Sequence, residues 1–280
     1  MIAEAGPDHR AALEAILTAR IDQAMFPLSN LRAHGLGQSG FPSDHLHATR
    51  YWIIDRTSVV ALTRGGMLLS LLAPGCDLAG LPAALNGQTV HGAAGPAAST
   101  RPVLGALGLS ATPARLDEDE PGFALDLSTL RLSQPDATLI PASAASRDLL
   151  IAWRAAATVE TQGMPPDQAH DHAAQDVDGW LANDSHRVLL HDGQPVALTG
   201  FNARLPEIVQ VGGVYTPPAL RNCGHARTAV ALHLAEARAA GATRAVLFAA
   251  TPAATRAYLA IGFQPAADFS LVLCHTPVTL

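Results

Sequence analysis

Val211-Gly-Gly-Val-Tyr-Thr-Pro-Pro-Ala-Leu-Arg-Asn-Cys-Gly-His-Ala226 reads as a strand, a sharp loop and the opening of a helix. Upstream of the loop, Ile208, Val209, Val211 and Val214 suit a buried strand, and Pro217-Pro218 ends it because proline has no N–H for a ladder. Beyond the loop, Ala226, Val230, His233, Leu234 and Ala237 recur at helical steps, and Gly241 supplies the stop expected just past a helix end. A helix that begins this abruptly leaves its first N–H groups unpaired and a partial positive charge facing the loop, which is what holding a diphosphate requires. Gly212-Gly213 weakens the strand unless the chain needs a bulge there, and a bulge would turn the strand from its neighbour and open a slot.

The loop Arg221-Asn-Cys-Gly224-His-Ala226 resembles the first signature of the GNAT superfamily of acyl-CoA-dependent N-acyltransferases: Arg or Gln, two residues, Gly, one residue, then Gly or Ala. Downstream, Thr251-Pro-Ala-Ala-Thr-Arg-Ala-Tyr258-Leu-Ala-Ile-Gly262-Phe263 is similar to the second, a short helix that carries a tyrosine and closes on Gly-Phe. The resemblance covers residues 137–280 and implies an α/β GNAT fold, a mixed sheet with splayed central strands, that uses acetyl-CoA as cosubstrate and no metal.

By position the resemblance assigns roles. Val214, Tyr215 and Thr216 would pair with the pantetheine arm, with an N–H near Val214 polarising the thioester carbonyl. Arg221, Asn222, Cys223, Gly224, His225 and Ala226 would surround the diphosphate. Tyr258 falls where the family places the acid that protonates the departing thiolate, and Thr251 stands where Asn is common. The carboxylate that often serves as base falls on Gln210 here, which cannot take a proton usefully. Glu160, at the end of the first helix of this half, is therefore the candidate for base or acceptor binding, ahead of Glu207.

Composition bounds the remainder. At 280 residues the chain suits two domains, and its charge of -6 gives no basic footprint for nucleic acid. All 18 basic residues are arginine. Cys76, Cys223 and Cys274 are too few and scattered for a disulfide framework, and His170 and His172, two apart on a helix, point in different directions, so no metal site is expected. With no signal-like N-terminus and no apolar run of membrane-spanning length, the expectation is a cytoplasmic protein without membrane contact.

Leu132-Ser-Gln-Pro-Asp-Ala137 is a polar step between apolar stretches and marks a boundary: residues 1–134 as one domain and 135–280 as the catalytic one. The first half reads as a helix over residues 8–24, two or three strands over Tyr51–Leu72 with a Gly65-Gly66 hairpin, a short helix, a strand ending near Pro96 and another helix. That is a GNAT-like order without either signature, hence a degenerate, non-binding GNAT-like domain. Asp117-Glu-Asp-Glu120 is expected to be a solvated loop.

The implied reaction is acetyl transfer to a primary amine of a small-molecule acceptor by direct attack in a ternary complex. Two alternatives stand beside it. One is an acyl-CoA-binding sensor or scaffold without turnover, motivated by Gln210; the other is an aminoacyl or peptidyl transferase of tandem-GNAT type, which the missing basic stripe opposes. The sequence permits a homodimer.

Overall fold

The computed structural model describes residues 2–38, 40–132 and 137–280. In chain order the first half gives β1 (Ile2–Glu4), α1 (Arg10–Thr18), α2 (Met25–His34), β2 (Thr49–Ile54), β3 (Ser58–Thr63), β4 (Met67–Leu71), α3 (Leu81–Ala84), β5 (Thr89–Pro96), α4 (Ala97–Ala106) and β6 (Ala114–Asp126). The second gives β7 (Thr138–Pro141), α5 (Arg147–Gln162), α6 (Pro166–Asn183), β8 (His186–His191), β9 (Gln194–Arg204), β10 (Ile208–Tyr215), α7 (His225–Ala239), β11 (Arg244–Phe248), α8 (Pro252–Ala260) and β12 (Gln264–Thr279).

The chain divides into two compact units, Met1–Glu120 with Ala267–Leu280, and Pro121–Ala266. The break expected between 134 and 135 lies outside the described residues. The units divide elsewhere because strand pairing overrides sequence order. The last strand, β12, lies antiparallel on β5 of the first unit, with Phe269 opposite Pro96 and Leu273 opposite Gly92. In the second unit the end of β6 pairs antiparallel with β11, Gly122 opposite Phe248 and Asp126 opposite Arg244.

In the first unit β1 to β4 form an antiparallel run, and β4 pairs parallel with β5. Trp52, Ile54, Val60, Leu62 and Leu68 of that sheet bury against Leu81 of α3 and Val103 and Leu104 of α4. Two expectations fail here. The helix read over 8–24 ends at Thr18, and a second helix, α2, follows it. Met25, Leu28 and Leu31 of α2 bury one face, a spacing that Pro27 disguised, although proline is tolerated in a first helical turn. The acidic run is a strand, not a loop: Arg101 on α4 donates from Nε and Nη2 to Asp119 at 3.0 and 2.7 Å and also pairs with Asp117, so one cation offsets the like charges along β6.

In the second unit the order is β6-β11-β10-β9-β8-β7, with β10–β11 parallel and the other pairs antiparallel. Asp192 and Gly193 take φ of 50° and 73°, the pair of left-handed residues that a two-residue hairpin demands. Ser146 caps α5 by accepting the Leu149 N–H, and Gly163 ends the helix in the left-handed region. Val188, Leu198 and Tyr215 pack against Leu150, Trp153 and Val177 of α5 and α6. On the other face Phe201, Val209 and Val211 pack with Val230 and Leu234 of α7 and Tyr258 of α8, and the register shift between Gly212 and Tyr215 is what puts Tyr215 on the first face. The result is a mixed α/β sheet with helices on both faces, as expected.

Candidate active site

The register of β10 on β11 runs from Ile208 opposite Arg244 to Gln210 opposite Val246. On its other side β10 shifts register against β9 after Gln210 and again between Gly212 and Tyr215, so the expected bulge and the parting of the two strands are both present. Gln210 itself is 2% exposed, and its Nε2 donates to the Val211 carbonyl at 2.8 Å, at the point where β10 leaves β11. The side chain thus supplies a bond where the ladder fails.

What bends the strand is packed beneath it. Gly213 has φ +62°, and a Cβ there would fall 2.6 Å from His186 Nε2; one at Gly200 of β9 would fall 2.1 Å from the same atom. The two glycines make room for this imidazole, which stacks on Trp180 at 3.9 Å and shares a hydrogen bond with Ser185 Oγ at 2.9 Å through Nδ1. Burial, then the charges of Arg154 and Arg187, push the His186 pKa down to about 3, so the ring is neutral. Its Nε2 is buried without a hydrogen-bond partner among the described residues. No motif in the sequence announced His186; the paired glycines were its only trace.

The cradle follows. After Pro217 a 3-10 turn over Pro218–Leu220 leads to Asn222 and Gly224, both left-handed at φ +65° and +81°. Gly224 is the N-cap of α7 and offers no side-chain cap, and the first turn carries no acidic residue, so its N–H groups face outward unpaired by side chains. Arg227 was missed by the sequence reading. Its Nη2 lies 3.1 Å from where a Gly224 Cβ would stand and its Nε is buried without a partner among the described residues, which sets a second arginine at the start of α7. Asn222 and Cys223 are exposed and Ala226 half-buried, whereas His225 is buried beside His191, 5.4 Å between ring centroids, and burial lowers its pKa.

Arg221 points elsewhere. Nη1 and Nη2 donate to the two oxygens of Glu160 at 2.8 and 2.7 Å, Nε donates to the Thr216 carbonyl at 3.0 Å, and the guanidinium lies 6.0 Å from the Tyr215 ring. Arg221 holds the Glu160 carboxyl below the usual range, which makes it a weaker proton acceptor than the sequence reading wanted. Tyr215 is buried against Trp153, and burial raises its pKa. Thr216 Oγ1 is buried without a partner among the described residues.

Tyr258 is 6% exposed on α8, its ring 6.0 Å from that of Phe263, and Val214 packs against the same apolar cluster. Thr251 caps α8 by accepting the Ala254 N–H at 3.2 Å, so its hydroxyl oxygen already serves the fold. Among the described residues no group of three or more His, Cys, Asp or Glu is placed to hold a metal, and no helix is long and apolar enough to cross a membrane.

A mixed sheet whose parallel central strands part beside an uncapped, glycine-led helix is the framework of the GNAT fold. Residues 150–263 match the Acetyltransferase (GNAT) family. This segment is thus similar to a GNAT domain, and over its whole length the chain shares the fold of solved GNAT proteins, a tandem one among them. A GCN5-related N-acetyltransferase from Kribbella flavida aligns at 17% identity over 92% of this chain and 95% of that one, TM-score 0.56. A tandem GNAT protein from the clavulanic acid biosynthesis pathway aligns at 12% identity over 99% and 98%, TM-score 0.55. A GCN5-related N-acetyltransferase from Sphaerobacter thermophilus aligns at 14% over 97% and 94%, TM-score 0.54. A search among curated proteins gives no match.

Proposed function

We propose that the unit Pro121–Ala266 transfers acetyl from acetyl-CoA to the primary amine of a small acceptor by direct attack in a ternary complex. The observation that carries this reading is the parting of β10 from β11 after Gln210 beside the uncapped start of α7. The N–H groups of the Asn222–Ala226 loop would hold the diphosphate, with Arg221 and Arg227 adding charge, and the backbone of Val214–Thr216 would receive the pantetheine arm. Bound acetyl-CoA supplies an acyl group already activated as a thioester. The Val214 N–H would polarise the carbonyl, and Tyr258, its ring fixed against Phe263, would give its hydroxyl proton to the departing sulfur. With Gln210 amidic and Glu160 held low, the amine's own proton goes to water.

The first unit would be non-binding, and its backbone says why. Past β4 the Leu72 N–H is taken by Ser99 Oγ at 2.9 Å, the Ala73 N–H by Ser58 Oγ at 2.8 Å, and the Leu72 carbonyl by Arg20 Nη1 at 2.6 Å. The helix that follows, α3, has 4 residues and no length to present a dipole. These three backbone groups at the end of β4 are already bonded, which supports the non-binding reading.

Release of free thiol from acetyl-CoA, followed with a chromogenic disulfide over a panel of primary amines, tests the proposal. Turnover with at least one amine is the expected result. CoA binding by calorimetry without thiol release on any amine would favour the sensor reading, for which the engaged Gln210 and Glu160 speak; absence of CoA binding would defeat both.

A further inference from the structure

We propose that the Glu160–Arg221 pair is a latch that the diphosphate of acyl-CoA opens, and that the carboxylate so released binds the cationic nitrogen of the acceptor. The inference rests on the acyl-CoA reading above. Arg221 is the loop residue whose charge matches a diphosphate, yet its guanidinium gives N–H groups to both oxygens of Glu160 and to the Thr216 carbonyl. Glu160 stands in the last turn of α5, 3 residues before the left-handed Gly163 that ends the helix. One bidentate pair therefore ties the cradle loop to a helix on the α5–α6 face of the sheet.

The same two N–H groups cannot serve a carboxylate and a phosphate together. A diphosphate at the start of α7 gains from the uncapped first turn and from Arg227 as well as from Arg221, whereas among the described residues Glu160 pairs with Arg221 alone, so the phosphate displaces it. Glu160 is then a carboxylate beside a dianion, with 48% of its side chain exposed and no cation of its own. The ammonium group of an arriving acceptor is the cation that the reaction provides. By linkage the coupling is reciprocal: cofactor and acceptor each strengthen binding of the other.

Calorimetric titration of CoA into the full chain and into Glu160→Gln, Arg221→Gln and the double variant tests the latch. An exposed ion pair of this kind predicts that Glu160→Gln tightens CoA about two- to fivefold when Arg221 is present and leaves the affinity unchanged in the Arg221→Gln background. Equal tightening in both backgrounds would show a general charge effect and overturn the latch, as would unchanged or weaker binding in Glu160→Gln alone. Failure of the unaltered chain to bind CoA would instead remove the acyl-CoA reading on which the latch rests. For the released carboxylate, Glu160→Gln should raise KM for a cationic amine with kcat little changed, and an unchanged acceptor KM refutes that half of the proposal.

Discussion

Gln210→Glu puts back the carboxylate that the family often carries on this strand, and the structure predicts that the chain tolerates it only in acid. The wild-type amide is 2% exposed, donates Nε2 to the Val211 carbonyl at 2.8 Å and leaves Oε1 buried without a partner. A carboxylate has no hydrogen to donate, so the Val211 carbonyl would lose its partner and face a negative oxygen. Leaving that carbonyl unpaired costs about 1–3 kcal/mol, and burying the charge adds to it. Both costs vanish if the new carboxyl is protonated, because its O–H can donate to Val211 as the amide does. Its folded pKa must therefore lie above the unfolded value of about 4.3, and a rise of about 2 units corresponds to about 2.7 kcal/mol. The sign follows: the variant should match wild type below about pH 4.3, lose ground by about 1.4 kcal/mol per pH unit above it, and level off past the folded pKa. Urea unfolding of both proteins at pH 5 and pH 8 measures this. A stability difference that is the same at the two pH values would refute the account of Gln210 as a donor that closes the end of the ladder.

Gly224→Asp should abolish CoA binding by calorimetry while lowering the melting temperature only slightly, since the new carboxylate would face the diphosphate at the cap of α7. Tyr258→Phe keeps the buried ring, so CoA affinity should hold while kcat falls about 100- to 10,000-fold; a kcat ratio near one would return Tyr258 to a packing role. Expression of residues 135–280 alone should give an unfolded or aggregated product. The cut removes Pro121–Asp126, which pairs with β11, and strands Ala267–Leu280 without β5, so a soluble, CoA-binding fragment by light scattering and calorimetry would contradict the strand assignments.

The second half was legible because its signals are local. Proline and glycine punctuation bounded β10 and α7, Asp192-Gly193 fixed a hairpin, and Ser146 announced α5. The destination of β12 was not legible. Its residues alternate as any half-buried strand does, and nothing in that pattern says whether the neighbour is β5 or β11. The acidic strand was misread for a related reason: four successive carboxylates, three of them exposed as expected, look like a loop until Arg101 of α4 is brought alongside. Within the site, the cradle backbone was readable from Gly224 and Pro217-Pro218, but side-chain destinations were not. Arg221 carries the signature yet turns to Glu160, while Arg227, outside the signature, stands at Gly224.

The slot is shaped by polar groups that the fold keeps neutral. Gln210 bonds the Val211 carbonyl where β10 leaves β11, and His186 fills the notch under Gly200 and Gly213 with its pKa pushed down to about 3. Apolar side chains could fill the same volume, but an apolar residue at 210 would leave the Val211 carbonyl without the bond that Gln210 supplies at the bulge, and unpaired buried backbone is expensive. Charged ones would pair with the carbonyl but draw water or a counter-ion into the splay. A neutral amide and a neutral imidazole meet both limits, and neither can hold an amine's proton at neutral pH. On the proposed acetyl-transfer reading, the same economy that keeps the slot open leaves no general base in it, so that rate would come from placing the amine, from backbone hydrogen bonds to the carbonyl and from Tyr258 as acid, and should rise with pH as the acceptor itself loses its proton.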